Sequence, residues 1–316
     1  MSYKILVATR SFGSTSSRPW DVLNEAGCEI VKADMSQKMT EERLIELLQD
    51  VDGAIIGVVP MTEHVLKHAP NLKVVSMHGV GVDHINLTAA TQKGVVISNC
   101  LGANDQSVAD LTIGLMISVA RDIPSVDRAV RSGGWGAHAG GELWKKTLGL
   151  IGLGRIGRGV AKRALGFDMK VLAYDPYVEP ENVEQGISLV SLDEVLKEAD
   201  YLSLHAALSD ETRHMIGAAQ LQAMKSSAYL INTSRGALVD EKALYTALVE
   251  KRIAGAALDV YDIEPPKDSP LLNLENVVVT PHIGAHTRES IERVGVMAAE
   301  NVLRTLQGGQ PHHRVA

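Results

Sequence analysis

The chain reads as an α/β protein built from two doubly wound parallel-sheet domains. Three observations predict this. At 316 residues the chain exceeds the usual size of one hydrophobic core. Short apolar runs alternate with amphipathic segments in two separate series, and strand–helix alternation of that kind builds parallel sheets covered on both faces. A glycine pattern, G-x-G-x-x-G, stands between a strand and a helix at the start of the second series.

The first series supplies strands at Lys4–Ala8, Glu29–Ala33, Ala54–Val58, Lys73–Ser76 and Val95–Asn99. Between them, segments such as Thr40–Asp50 carry helical spacing. Thr40 is placed to cap that helix, and its first turn holds Glu41 and Glu42. One small α/β unit is therefore expected over residues 1–99. The stretch Val108–Ala120 is apolar nearly all round and predicts a buried helix. A glycine-rich loop follows at Arg131–Leu143. The alternation then restarts, with strands at Thr147–Ile151, Lys170–Tyr174, Tyr201–His205, Ala228–Asn232, Ala256–Val260 and Asn276–Thr280. Ser191 and Glu194 have the spacing of a capping box. A last helix is expected from Arg288 to Leu306, able to fold back on the first unit. The closing residues, with paired histidines, read as a loose tail and not as a metal site.

Composition limits the partners. The chain has 31 basic and 38 acidic residues, net −7, and no long basic run, which argues against nucleic acid or an anionic membrane as main partner. Two cysteines, Cys28 and Cys100, make neither a disulfide framework nor a metal cluster, so no metal is expected. No uncharged apolar run is long enough to span a bilayer, and the N-terminus lacks the apolar core of a signal peptide. The cytoplasm is the expected location.

Gly152, Gly154 and Gly157 form the glycine turn. The first allows a tight turn, the second lets backbone approach a pyrophosphate, and the third lets helix pack on strand. Free N–H groups at that helix start favour phosphate. Asp175 closes the next strand, where a carboxylate accepts ribose hydroxyls and repels the extra phosphate of NADP. Pro176 and Tyr177 follow it, with no Arg to offset that repulsion. NAD is the expected cofactor.

Three groups stand just past strand ends: Arg235, Glu264 and His282. Each has an ordinary alternative, as a surface pair, a turn residue or a loop histidine. Together they suit hydride transfer at a 2-hydroxy acid. Histidine titrates near neutrality and can move the hydroxyl proton. Arginine holds a carboxylate or polarises a carbonyl. A carboxylate beside the imidazole orients it and favours its charged form.

With these residues in view, the segments HGVGVDHIN, GLIGLGRIG, INTSRGALVDE, ALDVYDIEPP and TPHIGAHT resemble, in order and spacing, the D-isomer-specific 2-hydroxyacid dehydrogenases, and within them the phosphoglycerate dehydrogenase-like branch in its short form. The resemblance implies a Rossmann nucleotide domain, residues 100–287, inserted into a flavodoxin-like substrate domain formed by 1–99 and 288–316. It implies that Arg235 binds substrate, that Glu264 and His282 are the acid–base pair, and that Asp259 faces the nicotinamide. Arg155 and Ile156 would touch the pyrophosphate, and His205 and Thr233 would lie near the cofactor. The backbone N–H groups of Val80 and Gly81 would receive the substrate carboxylate, and Asn104 would stand at the hinge between domains. It further implies a homodimer through the nucleotide domain, with the Trp135 region a plausible contact. The implied substrate is a small 2-hydroxy or 2-keto acid, with hydroxypyruvate or glyoxylate reduction included.

The sequence also departs from that branch. Gly57-Val58 stands where phosphoglycerate enzymes commonly carry Arg-Ser, and Met77, His78, Leu101 and Ala207 replace more usual residues. His78 is a candidate substrate contact; His84 and His286 read as structural. Two other readings stay in play. One is a formate dehydrogenase-like enzyme, disfavoured because that branch pairs its histidine with glutamine. The other is an NADH-sensing binding protein resembling the family's corepressors, which keep the same three groups.

Overall fold

The computed structural model describes residues 2–316. The chain divides into two compact units. One runs up to Asn104 and resumes over Ala285–Ala316; the other is Asp105–Gly284.

In the first unit, β1 (Lys4–Ala8), α1 (Arg18–Glu25), β2 (Glu29–Lys32), α2 (Glu41–Leu48), β3 (Gly53–Ile56), α3 (Glu63–Lys67), β4 (Val74–Met77), α4 (Leu87–Lys93) and β5 (Val96–Ser98) follow in order. Their sheet runs β2-β1-β3-β4-β5, all parallel. The strands on which the expectation rested are there because both faces are covered: β3 and β4 are buried at every residue, as near-continuous apolar runs require. Thr40 caps α2 by accepting the Arg43 N–H at 3.3 Å.

The second unit contains α5 (Asp105–Ala120), α6 (Ile123–Arg131), β6 (Thr147–Ile151), α7 (Arg155–Leu165), β7 (Lys170–Tyr174), β8 (Ile187–Leu189), α8 (Leu192–Glu198), β9 (Tyr201–Leu204), α9 (Ala218–Ala223), β10 (Tyr229–Asn232), α10 (Glu241–Val249), β11 (Gly255–Leu258) and β12 (Val277–Val279). The sheet order is β12-β11-β10-β9-β6-β7-β8, all parallel. The winding reverses between β6 and β9, and the carboxyl ends at such a reversal are where open α/β sheets bind ligands. α5 is apolar nearly all round because it packs on α7 and on β10 and β11. Ser191 caps α8 through the Glu194 N–H, the first half of the expected capping box. β8 is a short strand absent from the expected set; its half-exposed pattern carries little periodic signal.

α11 (Arg288–Leu306) returns to the first unit and packs on β3, β4 and α1. The tail after it is not loose, contrary to the expectation. Residues 313–316 lie antiparallel to β5: the Val315 N–H donates to Ile97 O at 2.7 Å, and the Ile97 N–H donates to Ala316 O at 3.0 Å. His312 binds Glu300 at 2.8 Å, and Pro311 is buried. A polar, histidine-bearing tail reads as solvated, but an open strand edge offers it backbone partners.

Candidate active site

The glycine turn follows β6. Gly152 has φ +97°, a left-handed conformation that favours glycine, and a Cβ there would stand 2.6 Å from the backbone carbon of His205 after β9. A Cβ on Gly157 would stand 2.3 Å from Gly152 O. These two glycines let strand, turn and helix close on each other. Gly154 differs: open space lies beside it. It begins α7, whose first N–H groups have no partner within the helix. Arg155 is exposed and Ile156 half-buried at that start. Asp175, just past β7, accepts the Leu153 N–H at 2.8 Å and the Tyr177 N–H at 3.0 Å. A carboxylate has about four acceptor sites, so capacity for ribose hydroxyls remains. This turn fits a dinucleotide: bare backbone faces open space, and an acidic group sits at the following strand end.

His205 is half-buried, and desolvation pushes its imidazole down to about 4, so it is neutral near pH 7. Its Nε2 lies 2.9 Å from the buried Ser203 hydroxyl. Thr233, past β10, is 8% exposed, and its hydroxyl lies 3.0 Å from that of Thr112 on α5.

Arg235, Glu264 and His282 follow β10, β11 and β12, three neighbouring strands, so their roots share one sheet edge. His282 Nδ1 lies 2.8 Å from Glu264 Oε2. The other oxygen, Oε1, accepts the Tyr261 N–H at 3.2 Å. The Glu264 hydrogen bond raises the His282 pKa above its ordinary value against the opposing effect of burial. Burial works against the Glu264 anion, but its bond to His282, the imidazolium charge, the Tyr261 amide and the Arg235 charge outweigh it, and the carboxyl sits below its ordinary value. Both side chains stay partly open, 48% and 38% exposed, so a ligand can reach them.

The loops that carry the three groups are fixed by backbone and side-chain contacts centred on Asp259. His282 has φ +54°, a costly conformation for a non-glycine residue. It is held there by its own N–H, which donates to Asp259 O at 2.8 Å. The Asp259 carboxylate, 1% exposed, accepts from the Thr280 hydroxyl at 2.6 Å and from the N–H groups of Ile283 and Gly284, both at 2.8 Å. The Tyr261 hydroxyl donates to Thr280 O at 3.0 Å. Gly236 lets the Arg235 turn touch the Tyr261-Asp262 backbone, since a Cβ would stand 1.9 Å from Tyr261 C. Of these, Asp259 is the one the sequence singles out; Thr280 and Tyr261 carry no such signal.

The remaining candidates lie in the first unit. Val80 and Gly81 follow β4 and are half-buried, and Val80 O accepts from Asn99 at 2.8 Å. Asn104 is 8% exposed and its Oδ1 has no partner among the described residues. His78 Nδ1 meets the Ser11 hydroxyl at 3.2 Å, and burial pushes that imidazole down to about 4.

A doubly wound sheet with a glycine turn at its reversal, and a histidine–carboxylate pair beside an arginine, defines the class of nicotinamide-dependent dehydrogenases. Residues 113–284 match the family model described as D-isomer specific 2-hydroxyacid dehydrogenase, NAD binding domain. The chain is 45% identical over 285 residues to the D-3-phosphoglycerate dehydrogenase of Methanocaldococcus jannaschii, covering 89% of this chain and 54% of that one. It is 40% identical over 277 residues to the hydroxypyruvate reductase of Thermotoga maritima, covering 86% of this chain and 90% of that one. Among solved structures, the TT0316 protein of Thermus thermophilus superposes with a TM-score of 0.91 at 38% identity, over 99% of this chain and 100% of that one. The chain belongs to the D-isomer-specific 2-hydroxyacid dehydrogenase family, and the unit bearing the glycine turn is its NAD-binding domain. It spans about half the length of the M. jannaschii relative.

Proposed function

We propose that the chain is an NAD-dependent oxidoreductase moving a hydride between nicotinamide and a small D-2-hydroxy acid or its 2-keto acid. The observation that carries this reading is the 2.8 Å bond between Glu264 and His282 at the strand ends that also bear Arg235. When bound, NAD(H) accepts or supplies the hydride at the substrate's second carbon. His282 manages the proton. With Nδ1–H held by Glu264, Nε2 is the nitrogen that protonates the carbonyl oxygen on reduction and takes the hydroxyl proton on oxidation. Arg235 binds the substrate's oxygens and polarises the carbonyl. Asp175 receives the ribose hydroxyls, and the α7 start, with Gly154, Arg155 and Ile156, receives the pyrophosphate. In this reading the amides of Val80 and Gly81, with Asn104, hold the substrate carboxylate.

Gly57-Val58 past β3 supplies no charge for a phosphate, and Val58 is 79% exposed. Glyoxylate and hydroxypyruvate are therefore preferred over 3-phosphohydroxypyruvate. The same reading makes the protein a cytoplasmic homodimer. What supports the dimer is α6, with no buried residue, and Trp135 beyond it, 92% exposed, a large apolar exposure that a partner copy would cover. Among the described residues, no helix is long and apolar enough to cross a membrane.

The test is NADH oxidation with a panel of 2-keto acids, run beside His282→Ala. Steady turnover of at least one keto acid is expected, with His282→Ala lowering it roughly 10²–10⁴-fold while NADH binding persists. NADH binding without turnover of any keto acid would refute the reading.

A further inference from the structure

Two carbonyls in the turn after β4 are pinned by the residues that follow β5. Gly79 O accepts the Cys100 N–H at 2.8 Å, and Val80 O accepts the Asn99 side-chain amide at 2.8 Å. A carbonyl oxygen only accepts, so the Asn99 atom facing it is Nδ2. In a planar trans peptide the C=O and N–H groups point in opposite directions, and the peptides on either side of Val80 are trans. Pinning the two carbonyls therefore turns the N–H groups of Val80 and Gly81 away from residues 99–100. Two successive N–H groups presented in this way suit an anion. Asn99 is itself held. Its N–H donates to His313 O at 3.2 Å, and its C=O accepts Asn301 Nδ2 at 3.0 Å. Asn301, fully buried on α11, accepts the His312 N–H at its other end, at 2.8 Å. One partner of Asn301 only accepts and the other only donates, so the orientation of that amide is fixed as well.

We infer that Asn99 is a positioning residue for the substrate carboxylate: its side chain fixes the Val80–Gly81 peptide so that the Gly81 N–H faces the acid. This rests on the reading above, in which the Val80 and Gly81 amides hold that carboxylate, and goes beyond it by naming what aims them. Gly81 has no Cβ to restrict its φ, so without the Asn99 donor this peptide plane can turn about its Cα–Cα axis. The turned peptide would present its oxygen, not its N–H, to the anion. The donor on Asn99 selects the arrangement that binds. The neighbouring peptide is held by the Cys100 backbone, so only the Gly81 half of the pair depends on a side chain.

The experiment measures KM and kcat for glyoxylate and hydroxypyruvate, and Kd for NADH by quenching of protein fluorescence, in the wild type and in Asn99→Asp. The substitution keeps the shape and sets an acceptor against Val80 O in place of the donor. KM for the keto acid is expected to rise about tenfold, the worth of one hydrogen bond to a charged group. The value of kcat should stay within about threefold, and the NADH Kd should not move. Asn99→Ala, which removes the donor without adding a charge, should raise KM in the same direction. A purely structural Asn99 would lower the thermal midpoint and leave KM at its wild-type value in assays run below that midpoint. That result overturns the inference, as does a KM that rises only in step with the NADH Kd. If Asn99→Asp does not fold, Asn99→Ala carries the test, and an unchanged KM there overturns it equally. Wild-type turnover with KM unmoved in the variants defeats this inference alone. A wild type that binds NADH and turns over no keto acid defeats the reading on which it rests as well.

Discussion

Glu264 holds His282 with one carboxylate oxygen, 2.8 Å from Nδ1, while its other oxygen takes the Tyr261 N–H at 3.2 Å. The pair is thus tied to the end of β11 as well as to itself. The bond raises the imidazole pKa and holds the carboxyl below its ordinary value. Keto-acid reduction needs the imidazolium, so its rate should fall with rising pH through a pKa above 6.5. Glu264→Gln removes the charge that stabilises the imidazolium and should move that limb to lower pH, measured as kcat/KM from about pH 5 to about pH 9. An unmoved limb would show that Glu264 does not set the His282 charge.

The same pair has a stability signature. His282, raised on folding, contributes fully below its ordinary pKa and loses that contribution as pH rises through the folded value. Glu264, lowered on folding, contributes above its ordinary pKa and loses that contribution as pH falls through the folded value. The contribution is therefore greatest between the two ordinary values, and the difference in thermal midpoint between wild type and Glu264→Gln should be largest there.

Asp259 offers a test of how the His282 turn is held. Its carboxylate serves the Thr280 hydroxyl and two N–H groups. Asp259→Ala leaves these donors unpaired and should cost about 3 kcal/mol of stability, with kcat falling more than NADH affinity. A variant with normal kcat would mean that His282 keeps its strained backbone without this clamp.

Asp175→Ala should weaken NADH binding by about tenfold and NADPH binding much less, since the lost group bonds ribose hydroxyls and repels phosphate. Titration calorimetry with both dinucleotides distinguishes this from a general loss, in which both would weaken alike.

Gly236→Ala tests the contact between the Arg235 and Glu264 turns. The added Cβ meets backbone, not a movable side chain, so a loss of about 3 kcal/mol is expected. A thermal midpoint indistinguishable from wild type would show that the two turns can separate without cost.

Much of this protein was legible in residue order. The strands of both sheets announce themselves because a parallel strand covered on both faces must be apolar along its length. The glycine turn is legible because Gly152 and Gly157 stand where no Cβ fits. Strand ends locate Arg235, Glu264 and His282, since loops there face the ligand edge. The tail differs from its expectation because its residues look solvated, and only the open edge of β5 gives them a place.

The amino-acid order by itself therefore determined the two α/β series, the dinucleotide turn and the kinds of reacting group available. What the tertiary structure decided is which groups meet. The Glu264–His282 bond, the Asp259 clamp and the Thr112–Thr233 contact join residues distant in the chain and close in space. Local pattern carries no record of such distances, because they follow from how neighbouring strands are ordered and packed.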